Sequence, residues 1–166
     1  MQRGEMKGVM IGAGFFAHFH AEAWSRMGGA RIAAIADLIP GRAQQFAAQW
    51  GISRSYTDAE TMIQSENPDF VDIVTRPDSH PILVSLAARQ GVHIICQKPM
   101  AAGQKDAEAM VETCAKAGVR LLMHENWRWQ PWYREVKRLM ETGVVGKPYQ
   151  LAFRMRSGDG LGPDRY

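Results

Sequence analysis

Cysteine is scarce: the 166 residues include two, Cys96 and Cys114. Two cysteines exclude a disulfide-framework protein, and their spacing is not that of a C-x-x-C motif. Both are therefore expected to be buried free thiols. No apolar run approaches the ~20 residues that a membrane-spanning helix needs. Met1–Lys7 is polar, and the short apolar stretch after it is broken by Gly12 and Gly14, unlike a secretory leader. Charge of one sign is also lacking, with 20 Lys+Arg against 17 Asp+Glu and no basic run, which argues against a nucleic-acid partner. The five histidines form no metal set. His18 and His20 do not share a helical face, and His124-Glu125 lacks the second histidine of H-E-x-x-H. The expectation is a cytoplasmic globular chain with no metal, no membrane and no nucleic acid.

Hydrophobic residues make up 46% of the chain and five are tryptophan, enough for a packed core. Short apolar runs at Lys7–Ile11, Arg31–Ala36, Phe70–Thr75, Val92–Cys96 and Val119–Met123 are predicted strands. Helices are predicted over Phe15–Met27, Pro40–Trp50, Thr57 or Asp58 to Ser65, Asp78 or Ser79 to Gln90, Gly103–Ala117 and Pro131–Thr142. Pro40 suits a first turn, and Gly51, Gly91 and Gly118 suit helix ends. Strands that alternate with helices and lack an apolar–polar alternation point to an α/β fold. Its sheet is parallel, doubly wound and covered on both faces.

The composition changes near residue 121. Residues 1–120 carry 12 basic and 12 acidic side chains, so the net +3 resides in residues 121–166, with Trp127, Trp129 and Trp132. The three tryptophans are read as interdomain packing in preference to a stacking platform. Tyr149, Leu151, Phe153 and Met155 alternate with polar or small residues over Tyr149–Arg156, the pattern of a half-buried antiparallel strand. A Gly-rich turn is expected over Ser157–Pro163.

Gly12-Ala13-Gly14-Phe15-Phe16-Ala17 matches G-x-G-x-x-G/A between a strand and a helix. In that context Gly12 permits the tight turn, Gly14 lets a pyrophosphate approach the backbone, and Ala17 lets the helix pack closely. Asp37 closes the second strand, where a carboxylate accepts from both ribose hydroxyls and repels a 2′-phosphate. This favours NAD over NADP, although Arg42 is near enough to hold that phosphate. Thr75-Arg76-Pro77-Asp78-Ser79-His80 and Cys96-Gln97-Lys98-Pro99 follow two further strands. Both lie at carboxyl ends, where such folds place ligands. Lys98 there is suited to polarise an oxygen. His80 is read equally as a cap or packing residue and as a ligand.

Together these motifs resemble the Gfo/Idh/MocA oxidoreductases, over essentially the whole chain. The resemblance implies an N-terminal dinucleotide domain over residues 1–123. Residues 124–166 would be a linker helix and the start of a second domain built on a largely antiparallel sheet. It implies hydride transfer between NAD and a sugar, cyclitol or related polyol. Gly12, Gly14, Phe15 and Phe16 would line the pyrophosphate, and Asp37 with Arg42 would lie at the adenosine ribose. Thr75, Pro77 and His80 would border the cofactor, and Arg76, a cofactor-binding candidate, stands where the family often has a small residue or proline. Lys98 matches the family's catalytic Glu-Lys-Pro lysine, which touches nicotinamide ribose and substrate, and Gln97, in place of the glutamate, is likewise a cofactor-binding candidate. Asn126 and Arg128 would face the nicotinamide or substrate. The family's second domain supplies an aspartate and a histidine for proton transfer, and this chain reaches only the first strand expected there. It is expected to bind NAD with little or no turnover, and to self-associate through that strand. The alternative is a non-catalytic NAD-binding or interaction module. A Rossmann-type methyltransferase is disfavoured by the lysine-proline turn.

Overall fold

The computed structural model describes residues 4–154. They divide into two compact units, one running to His124 and one from Glu125.

The first unit is a six-stranded parallel sheet: β1 Met6–Ile11, β2 Ala30–Ala36, β3 Arg54–Tyr56, β4 Phe70–Ile73, β5 His93–Gln97 and β6 Leu121–His124. Their spatial order is β3-β2-β1-β4-β5-β6. The order reverses between β1 and β4, which creates the crevice where open α/β sheets bind ligands. The helices are α1 Phe15–Arg26, α2 Pro40–Trp50, α3 Ala59–Glu66, α4 His80–Arg89 and α5 Gln104–Ala117. Successive strand residues face opposite sides. Val9 and Ile11 join Met62, Val84 and Met110 in one core, while Met10 and Ile35 join Ala17, Ala21 and Phe46 in the other. Helices α3–α5 thus cover one face and α1–α2 the other. Cys96 and Cys114 are buried free thiols. Burial, with the charge of Asp72 and then Cys114 adding to it, pushes the Cys96 thiol up to about 12, so it is inert at neutral pH.

Local chemistry accounts for the ends. The Asp58 side chain accepts from Thr61 N–H and caps α3, which also lowers the Asp58 pKa. Gly51 and Gly118 close α2 and α5 in the left-handed conformation.

Three elements differ from the sequence reading. Strand β3 was not expected, because Arg-Ser-Tyr at a sheet edge has no apolar run. Its register against Ala34–Ala36 comes from the pairing partner. A single 3-10 turn, Trp127–Trp129, precedes helix α6, Pro131–Glu141, in the second unit. The expected strand Tyr149–Arg156 is not formed over 149–154, which carry no regular structure. A lone strand leaves its backbone groups unpaired, and no strand pairs with it among the described residues. Met155, Arg156 and the turn expected over Ser157–Pro163 lie outside the described residues.

Candidate active site

Four strand ends, those of β1, β2, β4 and β5, bring the predicted residues of the first unit to one edge of the sheet. After β1 the chain turns at Gly12, whose N–H donates to Ala36 O at 2.8 Å. Gly12 has φ +99°, and a Cβ there would lie 2.3 Å from Val74 O. Only glycine fits this close approach of the β1 exit to the β4 exit. Gly14, with an ordinary φ of −81°, is the N-cap of α1. No protein atom lies within 4 Å of the Cβ it lacks. The cap supplies no side-chain hydrogen bond and the first turn has no acidic residue. The start of α1 thus has no side-chain cap and a bare glycine face, with the positive end of the helix dipole behind it, a suitable seat for an anion. Phe15 and Phe16 begin the helix and pack edge-to-face, with ring centres 6.0 Å apart.

Asp37 follows β2 and is largely buried. Oδ2 accepts from Ala13 N–H and Oδ1 from Ile39 N–H, both at 2.9 Å. The carboxylate therefore ties the glycine turn to the β2 exit, and still has lone pairs left for a ligand's hydroxyls. Arg42 Nη1 stands 3.8 Å from Oδ2, so its charge is already balanced by Asp37.

At the β4 exit the Thr75 and Ser79 hydroxyls are 2.7 Å apart, and Ser79 Oγ donates to Arg76 O. Arg76 is exposed and pairs at 3.5 Å with Asp78. Pro77 is half-buried beside it. His80 is different. It is fully buried, with Nε2 3.1 Å from Thr75 O and Nδ1 3.1 Å from both Pro99 O and Met100 O. Its ring meets backbone carbonyls and offers no surface to a ligand. The expected cofactor contact by His80 is replaced by a structural one, since it joins the β4 exit to the turn after β5.

That turn carries Lys98, which is exposed, ahead of a cis Lys98-Pro99 bond. Lys98 Nζ lies 5.4 Å from the centre of the Phe16 ring, within cation–π range. Gln97 is buried and is therefore unavailable to a ligand. Its Oε1 accepts from Lys98 N–H at 2.7 Å, and its Nε2 is 3.0 Å from His20 Nε2. His20 Nδ1 in turn is 2.8 Å from Asp72 Oδ2, which also accepts from Trp24 Nε1 at 2.7 Å. His20 and Asp72 were not singled out as site residues. The available signal was a polar residue on the buried stripe Ala17–His20–Ala21 of α1 and an acid in the wholly buried strand Phe70–Ile73.

Asn126 and Arg128 belong to the second unit. Both are exposed, and the Arg128 guanidinium sits 4.9 Å above the Trp129 ring. Trp127, Trp129 and Trp132 are each about half exposed. Among the described residues no group of three His, Cys, Asp or Glu is placed to hold a metal. No described helix is long and apolar enough to cross a membrane.

Residues 6–125 match the model of an oxidoreductase family with an NAD-binding Rossmann fold, Gfo/Idh/MocA. The chain belongs to this family. A D-apiose dehydrogenase of Rhizobium rhizogenes is 46% identical over 158 residues, covering 95% of this chain and 46% of that protein. A myo-inositol 2-dehydrogenase of Thermotoga maritima is 29% identical over 147 residues, 89% of this chain and 44% of that one. An Agrobacterium radiobacter oxidoreductase solved with NAD+, L-tartaric acid and magnesium superposes with a TM-score of 0.85 at 46% identity. That match covers 87% of this chain and 42% of the other. The WlbA dehydrogenase of Bordetella pertussis, solved with NADH and UDP-GlcNAcA, gives 0.80 at 29% identity, covering 86% and 43%. This Gfo/Idh/MocA chain thus spans about half the length of the relatives it matches.

Proposed function

We propose that this chain is the cofactor-binding half of an NAD-dependent dehydrogenase acting on a sugar, cyclitol or related polyol. Residues 1–123 are the cofactor domain. Residues 124–166 are a linker helix and the first part of a substrate and oligomerisation domain. The observation that carries the reading is the start of α1, where no side chain caps the helix and no protein atom lies within 4 Å of the Cβ that Gly14 lacks.

Gly12, Gly14, Phe15 and Phe16 hold the pyrophosphate, and Asp37 accepts from the adenosine ribose. The pairing of Arg42 with Asp37 supports NAD over NADP, because that arginine's charge is already met. Thr75, Arg76 and Pro77 border the cofactor, while His80 and Gln97 act from behind it. NAD supplies the hydride acceptor. Lys98, an exposed ammonium at a strand end, orients and polarises a substrate oxygen. Asn126 and Arg128 are assigned to the nicotinamide or substrate. Two buried free thiols fit a reducing, cytoplasmic compartment.

Calorimetric titration of the 166-residue chain with NADH is expected to show saturable binding, with NADPH at least ~tenfold weaker. Asp37→Asn keeps an acceptor oxygen but drops the charge, and should narrow that preference. Absence of NADH binding at millimolar cofactor rejects the proposal. The chain alone is expected to give little or no turnover with polyols. NAD reduction abolished by Lys98→Ala would instead place the whole reaction within these residues.

The exposed Tyr149, Leu151 and Phe153 are read as a self-association surface. Light scattering is expected to show dimers or larger species, and Leu151→Lys should shift them towards monomer. A wild-type chain that stays monomeric at high concentration removes this surface from the proposal.

A further inference from the structure

The buried chain Asp72–His20–Gln97–Lys98 has a donor order that can be deduced from a single bond. The backbone N–H of Lys98 can only donate, so the Gln97 atom 2.7 Å from it is the carbonyl oxygen. The Gln97 NH2 must then donate to His20 Nε2, 3.0 Å away. That nitrogen therefore carries a lone pair, and the proton of a neutral ring sits on Nδ1, where Asp72 Oδ2 accepts it at 2.8 Å. Trp24 Nε1 donates to the same oxygen. The titratable groups around the ring are Asp72 on β4 and His124 on β6, whose ring centre lies 4.1 Å from that of His20. The Cys96 thiol on β5 lies within the electrostatic reach of Asp72. His20, Asp72 and Gln97 are all nearly inaccessible to solvent, so each donor needs its acceptor inside the fold.

We propose that Asp72, His20 and Gln97 are positioning residues that pin the turn bearing Lys98, and that Gln97 selects the neutral Nδ1-protonated tautomer of His20. The inference rests on Lys98 belonging to the cofactor and substrate site. It explains why a glutamine is compatible with this turn. A glutamate at position 97 would still accept from Lys98 N–H, but its other oxygen would face the His20 Nε2 lone pair. That contact is relieved by an added proton, which the more basic ring takes in preference to the carboxyl, and the ring would then lie between two carboxylates. The Lys98 side chain is steered separately by the Phe16 ring, so the relay acts on the backbone of the turn and the aromatic face on the ammonium.

The test is nitrogen NMR of the 15N-histidine-labelled chain without cofactor, combined with NADH titration across neutral pH. Wild-type His20 is expected to show a protonated Nδ1 and an unprotonated Nε2. Gln97→Glu should carry protons on both nitrogens at neutral pH, and its NADH affinity should become pH-dependent where wild type is flat. Gln97→Ala, which loses both of its side-chain hydrogen bonds, should bind NADH roughly fivefold more weakly at every pH. An Nε2-protonated His20 in wild type, or unchanged His20 protonation in Gln97→Glu, overturns the relay. If no variant binds NADH, wild type included, while the tautomer result holds, the cofactor reading fails and the buried relay stands without its link to that site.

Discussion

Gly12→Ala is expected to lower the melting temperature of the chain by roughly 15 °C, whereas Gly14→Ala should leave it almost unchanged. The two glycines are separated by one residue but face different surroundings. At position 12 the backbone has φ +99°, and a methyl group would lie 2.3 Å from Val74 O and 2.9 Å from Val74 C. The neighbour is main chain hydrogen-bonded into the sheet through Val74 N–H to Ile11 O, so it cannot swing aside. Strain of that kind and overpacking each cost about 1–3 kcal/mol. Together they amount to about 4 kcal/mol, a large share of a domain's stability. At position 14 φ is ordinary and the methyl group meets nothing. Differential scanning calorimetry will separate the pair. NADH titration should reverse the picture for position 14. The folded Gly14→Ala chain should bind at least ~tenfold more weakly, about 1.4 kcal/mol, because the methyl occupies the face assigned to the pyrophosphate. Wild-type affinity in Gly14→Ala would falsify the phosphate assignment to this turn.

Glu66→Gln is expected to destabilise the chain by about 2–3 kcal/mol at neutral pH. Glu66 is buried at the end of α3, where Oε2 meets Arg54 Nη2 at 2.7 Å and Lys7 Nζ at 3.0 Å, and Oε1 accepts from Tyr56 OH at 2.7 Å. Lys7 Nζ also donates to Glu66 O. One carboxylate therefore ties β1 and β3 to α3. Burial pushes its pKa up, but the hydrogen bonds from Tyr56 and Lys7 and the charges of Lys7 and Arg54 outweigh it, and the net shift is downward. The same contact raises the Tyr56 hydroxyl. Arg54 is more than half exposed, which keeps the expected cost below that of a fully buried pair. A pKa depressed in the fold contributes stability above the unfolded value of ~4.3 that is lost as pH falls through the folded value. Urea denaturation of wild type and Glu66→Gln should therefore differ most at neutral pH and converge in acid. A gap that does not close below about pH 4 would show that packing, and not charge, holds this junction.

Much of the fold was legible because its strands are apolar runs separated by helices of 3.6 periodicity. Pro40–Trp50 forms with the expected bounds, since Pro40 starts it and Gly51 ends it. Strand ends were less legible. Val74 and Thr75 read as strand, but the chain leaves the ladder after Ile73 to make the turn around His80. Strand β3 was hidden because an edge strand needs a partner more than a pattern. Tyr149–Phe153 shows the opposite error, as its alternation is clear but no described strand completes its hydrogen bonds.

The candidate site divides along the same line. The positions of Gly12, Gly14, Asp37 and Lys98 were readable because each belongs to the backbone turn or strand end on which it sits, and spacing along the chain determines those. The roles of His80 and Gln97 were not, because a buried polar side chain is defined by the atoms packed against it. His20, Asp72 and Gln97 lie far apart in sequence and come together only where α1 crosses β4 and β5. Local periodicity and turn chemistry were thus sufficient for the α/β order, the glycine turn and the family. The partners of each buried polar group depended on long-range packing, because hydrogen bonds of roughly 3 Å require a spatial proximity that residue order does not encode.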